Sequence, residues 1–193
     1  MEQLPEPLAG LVREHRLVEQ IVHDAREAID AATVRDAGDD VVTRAMDVLH
    51  DLDAFLAIDL TTHIAKEEEV LFPVMRRVIE ENEVVVVDML AQHDEIRAKE
   101  SDIERMLGAL DATHDEVQAE ASNLRAGLAA ADGRPSIEAL VGLRDTVMKL
   151  DWILQGHFGD EEDALFEPAH EWFTPEHFAG FAQQMEDVER SMS

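Results

Sequence analysis

The stretch His63-Ile64-Ala65-Lys66-Glu67-Glu68-Glu69-Val70-Leu71-Phe72-Pro73 decides how this chain is read, because the chain repeats it. Ninety-four residues later the sequence runs His157-Phe158-Gly159-Asp160-Glu161-Glu162-Asp163-Ala164-Leu165-Phe166-Glu167-Pro168. Both copies fit H-x3-E-E-x-x-L-F, with a proline one or two residues after the Phe. Residues four apart on an α-helix share a face, one turn above the other. Each copy therefore aims an imidazole and a carboxylate at one point. Two such arms facing each other would make a metal site.

Outward from the arms, apolar residues recur every three or four positions, the period of amphipathic helices. The first stripe is Leu8, Leu11, Val12, Val18, Val22, Ala25 and Ile29, opened by Pro5 and Pro7, with His15 in its middle. Arg35 to Asp40 reads as a turn, with an N-cap at Asp39 or Asp40. The second stripe runs Val42, Ala45, Met46, Leu49, Leu52, Leu56, Asp59, His63, Glu67, and should bend near Pro73. A third runs Val86, Leu90, His93, Ile103, Leu107, Leu110. Past Gly108 it has two readings. The spacing continues through Val117, Ala121, Leu124 and Leu128, yet Thr113-His114-Asp115-Glu116 fits a capping box that would start a separate segment around 113–131. Asp132 to Ser136 is a turn, and Ile137 to Phe166 a fourth long helix carrying His157 and Glu161. Thr174-Pro175 starts a short fifth helix. The expectation is an all-α single domain over 1–193: an antiparallel four-helix bundle made of two helical hairpins, plus the C-terminal helix.

HxxxE by itself is weak, since about one match is expected by chance. Four occur, at His15/Glu19, His23/Glu27, His63/Glu67 and His157/Glu161. The doubled arm is the stronger signal. With His15 and His93 added, each long helix supplies one inward histidine. Burying four imidazoles and two carboxylates without a partner costs several kcal/mol per charge, by order of magnitude, and a cation removes that cost. The other histidines (His23, His50, His114, His170 and His177) are read as surface or core residues.

Composition narrows the chemistry. The chain has 193 residues, no cysteine and no tyrosine, so a metal must be held by nitrogen and oxygen, which suits iron, manganese or zinc. A net charge of −28 repels nucleic acid and anionic membranes. The first eleven residues carry no basic region, and apolar runs stop at five residues, as in Ala54 to Ile58. A cytoplasmic monomer or homodimer is the expectation.

These residues resemble the hemerythrin-like, or HHE cation-binding, family of non-haem di-iron proteins. The resemblance implies two iron ions with a bridging oxo or hydroxo group. In it His15, His63, His93 and His157 are terminal ligands, and Glu67 and Glu161 bridge. Two departures stand out from the oxygen carriers of that family. The third helix has His93 followed by Arg97 where those proteins have HxxxH. The fourth has Glu161 at +4 and Glu162 at +5 where they have HxxxxD. The four-His, two-Glu set instead looks like bacterial di-iron proteins of nitric-oxide stress and iron–sulfur repair, though these carry a cysteine-bearing segment and this chain has no cysteine. With one ligand fewer than the carriers, the set leaves an extra position open. The resemblance thus implies a centre for O2, NO or hydrogen peroxide, in gas binding, sensing or stress defence. A catalase-like enzyme and an iron store or donor are the alternatives. Glu19 is a spare donor, and Asp59, Glu68, Glu100 and Glu162 are candidates to hold the ligand imidazoles through hydrogen bonds.

Overall fold

The computed structural model describes residues 4–86, 93–131, 133 and 135–192, with side chains throughout except in 80–100. Among the described residues every regular element is helical. The α-helices are α1 (Glu6–Ala32), α2 (Asp39–Phe55), α3 (Thr61–Lys66), α4 (Phe72–Val86), α5 (His93–Ala130), α6 (Ile137–Glu161), α7 (Glu167–Trp172) and α8 (Pro175–Met192). Three widened, π-helical turns join some of them end to end: Leu56–Leu60, Glu67–Leu71 and Glu162–Phe166. None of these helices is long and apolar enough to cross a membrane.

The chain divides into two compact units. The first comprises residues 1–13, 62–112 and 159–193, the second 14–61 and 113–158. The first has a core of Leu8 and Leu11 from α1, Val70 to Ile79 around the second widened turn, Ile103, Leu107 and Leu110 from α5, and Phe173, Phe181 and Met185 near and on α8. The second buries Val18, Val22, Ala25 and Ile29 of α1, Leu49 and Leu52 of α2, Val117 and Leu124 of α5, and Leu143, Val147 and Leu150 of α6. Each α1, α2 and α6 set repeats at three and four residues, as the sequence predicts. Gly127 permits a close approach in the second unit, since a Cβ there would stand 2.8 Å from Leu143 Cδ2.

Several sequence expectations change in detail. The N-cap of α2 is Gly38, which makes no side-chain cap bond. Asp39 and Asp40 instead occupy the first turn, where the helix dipole favours carboxylates. Residues 113–131 do not form a separate segment: α5 runs on for 38 residues, about 57 Å. The apolar stripe passes Thr113 without a phase break, and Gly108 costs only about 1 kcal/mol in an exposed helix position. Ser136 does cap α6, its Oγ accepting the Ala139 amide at 3.2 Å. Gly133 in that turn has φ +88°, a conformation that favours glycine. Thr174 caps α8: its hydroxyl accepts the His177 amide at 3.3 Å, and His177 Nδ1 accepts the Thr174 amide at 3.2 Å. At 18 residues α8 is longer than the short fifth helix expected.

Candidate metal centre

The two arms fold alike because of their last four residues. Leu71 and Phe72 in one, Leu165 and Phe166 in the other, are fully buried in the core of the first unit. Both arms then pass through a widened turn, Glu67–Leu71 or Glu162–Phe166, into a helix whose second residue is proline. A proline offers no N–H and its ring crowds the carbonyl four residues back, so the ladder loosens just before it. In the first arm the Phe72 amide reaches back five residues to the Glu67 carbonyl. Such turns add a residue to the helical phase and recur at functional sites. The Leu56–Leu60 turn has a similar effect. After Leu56 it turns Leu60 inward and leaves Asp59 exposed, and the Thr61 hydroxyl donates to the Leu56 carbonyl at 3.1 Å.

In the first unit, His63, Glu67 and Glu161 are buried and offer donor atoms within 4.8 Å of one another. His63 Nε2 lies 3.1 Å from Glu67 Oε1. Lys66, one residue before Glu67, is also buried and reaches Glu189 of α8 at 2.6 Å. That ion pair ties α8 to the arm.

In the second unit, His15, His114 and His157 are all buried. His114 Nε2 and His157 Nε2 are 2.9 Å apart. The His15 ring stacks on Phe158, centroids 4.1 Å apart and planes at 11°, while the His157 ring lies 5.8 Å from the same Phe158. Phe158 thereby fixes one imidazole and flanks another.

The donor set suits a hard or borderline cation. It contains only imidazole nitrogen and carboxylate oxygen. Two ligands at right angles on an octahedral ion, with bonds of about 2.1 Å, stand about 3.0 Å apart. The 2.9 Å and 3.1 Å separations match that edge.

Of the six residues singled out in the sequence, five are buried as expected: His15, His63, Glu67, His157 and Glu161. The sixth, His93, begins α5, and its side chain lies outside the described residues, as do those of Arg97 and Glu100. The third-helix histidine beside His157 is His114, which the sequence reading left among surface or core residues. His93 and His114 are both on α5, roughly 30 Å apart along its axis, so one ion pair can draw on only one of them. The signal for His114 was present: it continues the stripe Leu107, Leu110, His114, Val117 at three and four residues. The capping-box reading of Thr113 to Glu116 obscured it. Glu19 points elsewhere, its carboxylate paired with Arg16 at 2.9 Å. His23 and Glu27 form an exposed pair at 3.5 Å. Glu68 is exposed and Glu162 half-buried.

A family model for the hemerythrin HHE cation-binding domain matches residues 6–110, more than half of the chain. No curated protein and no solved structure matches it. Burial of His/Glu groups able to hold a metal is what that match leads one to look for, and the described residues include such groups. The chain belongs to the hemerythrin HHE cation-binding family.

Proposed function

We propose that His15, His63, Glu67, His114, His157 and Glu161 hold one pair of non-haem iron ions and that the protein uses it to bind O2, NO or hydrogen peroxide. The observation that carries this reading is the set of buried donors at ligand-edge spacing in a chain of this family. His114 takes the third-helix role expected of His93. Chain continuity supports joining the two sets of donors. Each of the four histidines lies within two residues of a point where the chain passes between units. On α6, His157 of one unit and Glu161 of the other are one turn apart. The same reading takes 1–193 as one hemerythrin-like domain, with α1, the α2–α4 run, α5 and α6 as an antiparallel bundle.

When bound, the iron pair would supply one- and two-electron chemistry toward small oxygen and nitrogen ligands. The chain's own residues prepare for that. Glu67 and Glu161 would offset the charge of the ions, and the imidazoles would complete the set without adding charge. Phe158 holds the His15 ring face-on. The Leu-Phe pairs of both arms keep bulk water from the carboxylates behind them. A cytoplasmic role in gas binding or in defence against oxidative and nitrosative stress accords with this.

The test is elemental analysis of protein expressed with added iron. About two irons per chain is the expected result, and fewer than one would sink the proposal. Oxygen evolution after addition of hydrogen peroxide would assign peroxide turnover. A reversible optical change under O2 without turnover would assign a carrier or sensor.

A further inference from the structure

Asp163, Glu167 and Glu171 recur every four residues through the Glu162–Phe166 turn and α7, and all three are exposed and line one groove. Like charges at that spacing repel, and none of the three has an ion-pair partner among the described residues. With Asp102 of α5 they rim a groove of about 350 Å3 in the first unit. Arg105 already answers Asp102 at 2.5 Å, which leaves three lining carboxylates without an ion pair among the described residues. The floor is apolar: Ile103, Met106 and Trp172 line it, and all three also pack on the core beneath.

An apolar centre ringed by uncompensated charge is the anatomy of a docking patch, with the apolar part giving contact and the rim giving orientation. The sign of the rim selects the partner. The charge of −28 works against a second copy of this chain as occupant. The volume takes one or two large side chains. The Trp172 ring adds a face that favours a cation over it. We infer that this groove docks a basic segment of another protein, seating an apolar side chain on Ile103, Met106 and Trp172 while Lys or Arg side chains pair with Asp163, Glu167 and Glu171. The wall of the groove starts two residues after Glu161. The inference does not depend on the metal reading.

A synthetic amphipathic helical peptide of leucine and lysine is the probe, and Trp172 emission in a Trp152→Phe background is the readout. Trp152 is 76% exposed, so its replacement disturbs no core. Binding should shift Trp172 emission and weaken with salt. The triple change Asp163→Lys, Glu167→Lys, Glu171→Lys should weaken it by about tenfold or more. A control with the same charge change at exposed acids of the second unit, Asp47→Lys, Asp51→Lys, Asp115→Lys, should weaken it by no more than about threefold. Equal losses in both triples, or no Trp172 response, would overturn the inference, because attraction to net charge would then explain the binding. Should the first triple fail to fold, Glu167→Gln with Glu171→Gln carries the same comparison with a smaller loss.

Discussion

The two units divide the candidate donors unequally, and the division follows how their helices are built. The first unit supplies both carboxylates and one histidine, all beside widened turns that end at a helix with proline in second place. The second unit supplies three histidines from the unbroken stretches of α1, α5 and α6. A carboxylate that must enter an apolar interior is placed by a local device, the turn and the buried Leu-Phe pair behind it. An imidazole, half apolar already, rides on an ordinary stripe between leucines and valines. The same contrast decides how visible each donor is. A device leaves a motif that can be recognised twice in one chain, whereas a histidine on a stripe looks like any core histidine.

The largest effect should come from the device side. Glu67→Ala or Glu161→Ala removes a buried oxygen donor, and either variant is expected to lose most of its iron by elemental analysis. Retention of full iron in both would break the assignment of the first unit's donors. Next come the anchors. Phe72→Ala or Phe166→Ala should cost about 3–5 kcal/mol in denaturant unfolding, the usual range for a fully buried aromatic. A loss under about 1 kcal/mol would show that the Leu-Phe pairs do not hold the arms.

The third-helix histidine of the second unit, His114, is tested against its rival His93 in the first. His114→Ala is expected to lower iron content by about half, and His93→Ala to leave it unchanged, since the two lie roughly 30 Å apart on one helix. The reverse pattern would return the third-helix role to His93. The smallest effect concerns charge in the second unit. The Lys149 ammonium, hydrogen-bonded to Glu120, holds the Glu120 carboxyl below the usual carboxylate range. A depressed carboxyl stabilises the fold above its unfolded pKa, and that stabilisation fades as pH falls through the folded value. Metal-free protein should therefore exceed Lys149→Met in stability near neutral pH, and the gap should close below about pH 4. A gap independent of pH would mean that Lys149 acts through packing of its stem alone.

Much of this was legible before any coordinates. The three-four spacing announced the helices, and the doubled arm announced His63, Glu67, His157 and Glu161 together. His15 was legible from its stripe, and His23, about 12 Å further along the same helix, was too far to reach the same ions. What stayed hidden has physical causes. Asp59 sits on an ideal α-helical stripe with Leu56 and His63, but the Leu56–Leu60 turn changes the phase and exposes it. Glu19 is one turn from His15, yet Arg16 on its own helix claims the carboxylate. The stripe position of His114 was hard to weigh because Thr113 to Glu116 carries the residue types a helix start needs, which gave that region two readings. Capping residues are permissive; they do not end a helix whose apolar face continues.

By itself, then, the sequence determined the helical class, the nitrogen-and-oxygen donor chemistry and the two arms, since each follows from residue type and local spacing. Tertiary structure alone decided which level of α5 meets the arm of α6. Periodicity assigns a residue to a face of a helix but is blind to height along it, and α5 is about 57 Å long. Height is set by packing between helices distant in sequence, such as the approach of Leu143 to Gly127, and that packing puts His114 Nε2 2.9 Å from His157 Nε2.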